Sequence, residues 1–205
     1  MDSTEWLKEI LKTRSETLSP EIRRRLDAAH EIVIFGSFAA HLQHAESDLD
    51  VFCVGESRTH FKSPLIELMI LPEHDVFSEI WLGSELANHI SNFGIPLGSH
   101  PDWFSLTRVG PLSVTRKEKR ISAYVRSLER HWGLLSDQAK LHYGVKIRRE
   151  LQRLQFLQNG QAVPPTKLLD IAFASRAGGG FDSLQCVSGP LQKKILAFFP
   201  LSFMP

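Results

Sequence analysis

Apolar positions recur first at helical spacing. Trp6, Leu7, Ile10 and Leu11 form one stripe over residues 3–14, with Asp2 or Ser3 available as a cap. Ser19-Pro20-Glu21 places Pro at a first helical position and an acid in the first turn, which predicts a second helix to about Ala29. The pattern then changes to short continuous apolar runs. Residues 32–35, 49–54 and 65–71 predict three buried strands, the last closed by Pro72. Ala39-Ala40-His41-Leu42 suits a short helix between the first two. Residues 76–90 return to helical spacing and end at Gly94 and Pro96, and residues 102–106 predict a short edge strand.

After Thr115 the chain reads as wholly helical. Ile121, Tyr124, Leu128 and Trp132 share one stripe, and a longer helix capped near Ser136 carries Leu141, Ile147, Leu151 and Leu154 to a stop at Asn159-Gly160. Pro164-Pro165-Thr166 opens another, expected to reach about Arg176. Gly178-Gly179-Gly180 marks a flexible joint. The expected organisation is a small α/β domain over residues 1–114, a helical domain over 115–177, and a joint with an apolar, Pro-punctuated tail over 178–205.

Composition changes this picture little. The 205 residues are 42% hydrophobic and 23% charged, ordinary for a soluble globular protein, and the formal charge of +1 gives no global basic field. Charge is nevertheless uneven, because residues 115–153 hold eleven Lys and Arg, from Arg116 to Arg153, against Glu118, Glu129, Asp137 and Glu150. Cys53 and Cys186 match no metal spacing, and Cys53 reads as a buried, reduced thiol. Met1-Asp2-Ser3-Thr4-Glu5 is polar and no apolar run approaches the ~20 residues of a membrane span, so a cytoplasmic protein with no membrane contact is expected.

The chemistry lies between the first two strands. The first ends at Gly36-Ser37, and the second opens with Asp48 and Asp50 bracketing Leu49. Residues one apart on a strand project from the same face, so two carboxylates there are costly unless a cation sits between them. Oxygen ligands suit hard divalent cations. A glycine turn followed by a hydroxyl and a helix start suits phosphate. Glu67 is a lone acid in the third apolar run, and Asp75, just beyond Pro72, is its competitor as a third carboxylate.

Gly36-Ser37 followed by Ser47-Asp48-Leu49-Asp50-Val51 resembles the signature of the nucleotidyltransferase superfamily that includes DNA polymerase beta. The stretch over residues 82–97 is similar to the helix and loop after the third acid in minimal and small-molecule nucleotidyltransferases, and residues 116–170 to their helical substrate-binding domains. The resemblance implies an α/β (α+β) fold with a small mixed-sheet catalytic domain followed by a C-terminal helical bundle. It also implies transfer of a nucleoside monophosphate from a nucleoside triphosphate to an acceptor hydroxyl, with Mg²⁺ or Mn²⁺. Asp48, Asp50 and Glu67 would be catalytic and hold metal, with Glu67 completing the cage or acting as base. Gly36 and Ser37 would bind the nucleotide. The acceptor stays open among a small molecule, tRNA and a protein, as does association with a second copy or a partner protein. The alternative reading is a catalytically weak member acting as a binding or regulatory partner, such as a toxin–antitoxin component. Two departures stand out: Glu replaces the more usual Asp at position 67, and Phe38-Ala39-Ala40-His41 offers no early Arg to phosphates, leaving His41, His44, Lys62 and the basic helices as donors.

Overall fold

The computed structural model of the protein describes residues 3–174, so the expected joint and tail at 178–205 lie outside the described residues. The chain divides between Arg108 and Val109 into two compact units. The first opens with α1 (Ser3–Ser15) and α2 (Pro20–Asp27), the latter capped by the Ser19 side chain. Next come β1 (Glu31–Phe35), the single turn α3 (Gly36–Ala39), β2 (Leu49–Gly55), β3 (Thr59–Lys62) and β4 (Ile66–Pro72). Three short helices follow, α4 (Glu73–Val76), α5 (Glu79–Leu82) and α6 (Glu85–Phe93), before the two-residue strand β5 (Ile95–Pro96).

The five strands form a mixed sheet in the order β3-β4-β2-β1-β5. The β2–β4 pair is parallel and the other pairs are antiparallel. Leu49, Val51 and Cys53 of β2 pack with Leu7, Leu11, Leu18 and Leu26 on one face. Phe52 and Val54 pack with Trp81, Trp103 and Ile90 on the other. Both faces are covered, which is why β2 reads as a continuous apolar run rather than an alternating one. Burial pushes the Cys53 thiol well above its ordinary range, leaving it inert.

Several local expectations change. Residues 102–106 form a 3₁₀ turn; the sheet edge belongs instead to β5, whose Pro96 an edge tolerates. The helical stretch at 76–90 is broken by Ser78 and Ser84, each capping a new helix start, with Gly83 between. The helix expected at 39–42 lies at Gly36–Ala39 and ends before His41, whose φ is 55°. Strand β3 carries no apolar alternation and is held by pairing with β4, which the sequence does not display.

The second unit contains α7 (Pro111–His131), α8 (Asp137–Gln158) and α9 (Thr166–Ala174). Contacts of Lys117 with Glu150 and Ser127 with Tyr143 set α7 and α8 antiparallel. Ile121, Val125, Leu128, Ile147, Leu151 and Leu154 form their shared core. Leu141 lies outside it, 58% exposed. Arg149 grips Asp170 with two hydrogen bonds of 3.1 and 2.7 Å and so ties α9 to α8. Among the described residues, no helix is long and apolar enough to cross a membrane.

Candidate active site

Strand register brings the acids together. Asp50, second in β2, lies directly opposite Glu67 of β4 on one side and Phe35, the last residue of β1, on the other. Asp48 immediately precedes β2. One carboxylate oxygen from each of Asp48, Asp50 and Glu67 lies within 4.8 Å of the other two. Asp75 stands elsewhere, on α4, accepting a 2.9 Å hydrogen bond from Arg58. Of the two competing third carboxylates, Glu67 is therefore the one beside the Asp pair.

Burial, then repulsion from Asp48 and Glu67, push the Asp50 carboxyl from 3.8 up to about 7, with Lys62 pulling the other way. Three converging oxygen donors and a carboxyl whose charge is disfavoured are what a hard divalent cation would relieve. The residues present fit Mg²⁺ or Mn²⁺.

The sequence reading left Glu67 without a partner outside the cluster, and here the structure differs. Lys62, opposite Glu67 in the β3–β4 register, donates to Glu67 Oε2, and its Nζ lies 3.6 Å from Asp48 Oδ2. His60 Nε2 lies 2.9 Å from the other Glu67 oxygen. Burial alone would raise the Glu67 carboxyl, but the bonds from Lys62 and His60 outweigh it and hold the group below its ordinary value.

Arg14 of α1 is a further residue that the sequence reading missed. It donates to the carbonyls of Ser47, at 2.8 Å, and Leu65, at 2.5 Å, fastening the chain just before both acid-bearing strands. Its guanidinium also covers the Phe38 ring, 4.6 Å from the centroid. The grip on the two carbonyls has no local sequence signal, because its partners are 33 and 51 residues away.

Gly36 sits at φ +69°, and a Cβ there would fall 2.0 Å from Asp50 Oδ2. The glycine thus makes room for the carboxylate as well as for any phosphate. With α3 only four residues long, its dipole adds little, and the turn with the half-buried Ser37 carries any anion-binding role. We expect Gly36→Ala to lower stability by about 1–3 kcal/mol, from left-handed strain plus displacement of Asp50. Urea unfolding checks this. The loss should shrink when Asp50→Ala is already present; an equal loss in both backgrounds would disprove the contact.

The nucleotidyltransferase-domain family model matches residues 15–90, which contain Gly36-Ser37 and all three clustered acids. The resemblance to that superfamily therefore holds over this part of the chain: a nucleotidyltransferase domain followed by a helical region. A solved structure of a nucleotidyltransferase-like protein from Exiguobacterium sibiricum aligns over 98% of this chain and 73% of its own, at 13% identity and a TM-score of 0.41. No curated protein matches the sequence.

Proposed function

We propose that the protein transfers a nucleoside monophosphate from a nucleoside triphosphate to an acceptor hydroxyl. The observation that carries this reading is the convergence of the Asp48, Asp50 and Glu67 oxygens within 4.8 Å, inside the residues matched by the family model. The acceptor oxygen forms a bond to the α-phosphorus as the bond to the bridging oxygen breaks. Pyrophosphate leaves with the electron pair, and the hydroxyl proton is lost to base. Asp48, Asp50 and Glu67 would hold Mg²⁺ or Mn²⁺, which when bound neutralises charge on the reacting phosphate oxygens. The Ser37 hydroxyl and the open backbone at Gly36 would receive the phosphates. A carboxyl held below its ordinary value is a poor proton acceptor, so Glu67 suits a metal ligand better than a general base.

For the acceptor, the exposed face of α7 is informative. Arg116, Lys119, Arg120, Arg126 and Arg130 are all exposed and fall on one helical stripe, about 21 Å long at 1.5 Å per residue. Among the described residues Arg120 pairs with Glu150, at 3.9 Å, and the other four make no ion pair. The apolar face of α7 is buried in the α7–α8 core, and Leu112 at its start is a single exposed apolar side chain rather than a face that could enter lipid. A phosphate-rich acceptor, an RNA, suits this stripe best. Incubation with each labelled nucleoside triphosphate, Mg²⁺ and cell extract should label the RNA fraction. Joint replacement of Arg116, Lys119, Arg126 and Arg130 by Glu should cut that labelling at least ~10-fold, with Mg–nucleotide binding intact. Label confined to protein or small molecules would refute the RNA acceptor, and no label in any fraction would count against transfer itself.

A further inference from the structure

The third carboxylate is engaged at both oxygens, and one of its partners also reaches Asp48. Lys62 Nζ hydrogen-bonds Glu67 Oε2 and lies 3.6 Å from Asp48 Oδ2. A single ammonium therefore touches two of the three groups whose oxygens converge. The carboxylates facing it are Asp48, Asp50 and Glu67, and His60 engages the other Glu67 oxygen. Its stem is 60% exposed, so no packing constraint holds the ammonium at this place. The attraction of the carboxylates does.

We propose that Lys62 is a built-in counter-cation of the carboxylate site, which a divalent cation must displace, and which is thereby released to contact the triphosphate. The second half rests on the function proposed above; the first does not. Two positive groups competing for Asp48 and Glu67 make each weaken the other by a similar factor. A monovalent ammonium on a flexible stem loses to a divalent ion with several oxygen ligands. Once released, it stays beside the site because β3 is paired to β4 through the Lys62–Glu67 register position. The arrangement supplies a phosphate donor where the chain has no early Arg after Gly36-Ser37.

The test reads metal binding without nucleotide. Free Mn²⁺ is followed by electron paramagnetic resonance during titration of wild type, Lys62→Met and Lys62→Arg. Lys62→Met should bind Mn²⁺ about tenfold more tightly, while Lys62→Arg, which keeps the charge, should stay within a few-fold of wild type. Adding Asp50→Asn to Lys62→Met should remove the gain, placing the tightened site at the cluster. With Mg²⁺ and inorganic tripolyphosphate, calorimetry should show weaker polyphosphate binding in Lys62→Met than in wild type. Equal or weaker Mn²⁺ binding by Lys62→Met would overturn the counter-cation, even if wild type transfers nucleotide normally. Tighter Mn²⁺ binding in a protein that transfers no nucleotide would uphold the counter-cation and sink the transferase reading instead. Unchanged polyphosphate affinity would overturn the release of Lys62 to phosphate.

Discussion

Asp50→Asn should abolish the proposed nucleotide transfer, by about a thousandfold or more, and at the same time stabilise the metal-free protein above pH 7. The first effect follows from the position of Asp50, in register with Glu67 and with an oxygen within 4.8 Å of those of Asp48 and Glu67. On the proposed reading, removing its charge removes one of the three ligands, and a metal contributes several kcal/mol at 1.36 kcal/mol per decade of rate. The second effect follows from its titration. Its folded value, about 7, lies above the ordinary 3.8, so the folded state binds the extra proton between those two values. Stability contributed by the protonated group is fully present below pH 3.8 and is lost as pH rises through about 7. Asn mimics the protonated form, so the variant escapes this loss. The gain at pH 8 is of order 1–4 kcal/mol, the upper end being the whole shift at 1.36 kcal/mol per unit. Denaturant unfolding from pH 4 to 8, with and without Mg²⁺, measures it. Mg²⁺ should stabilise wild type more at pH 8 than at pH 6, because binding must expel the proton. An Asp50→Asn protein with full activity would end the transferase reading.

Glu67→Gln is the second large effect, a slowing of at least ~100-fold with normal folding. The magnitude is about 2.7 kcal/mol at 1.36 kcal/mol per decade, a part of the several kcal/mol that a bound metal contributes. Gln keeps the volume but has only one oxygen, so it cannot engage both Lys62 and His60 as the two carboxylate oxygens do. The variant should therefore lose Mg²⁺ affinity as well as rate, while nucleotide binding through Gly36 and Ser37 persists in part. Asp75→Asn, made alongside, should change the rate by no more than a few-fold, since Asp75 pairs with Arg58 outside the cluster. Single-turnover kinetics over a Mg²⁺ series separates metal affinity from rate. An essential Asp75 with a dispensable Glu67 would reverse the assignment.

What the sequence determined by itself was local chemistry on strong elements. The run at Glu31–Phe35, the turn at Gly36-Ser37 and the acids flanking Leu49 were legible because strand parity alone puts Asp48 and Asp50 on one face. Ser136 and Asn159-Gly160 marked the ends of α8 because caps act within one turn. The partners of these groups were not legible. Lys62 and His60 reach Glu67 through a strand with no apolar alternation, and Arg14 acts on Ser47 and Leu65 from another helix. Pairing register and long-range contacts are set by the whole sheet, so no window of sequence contains them. The same holds for Gly36. Its turn was visible in the sequence, but its second duty, leaving space for the Asp50 carboxylate, exists only once β1 lies antiparallel to β2.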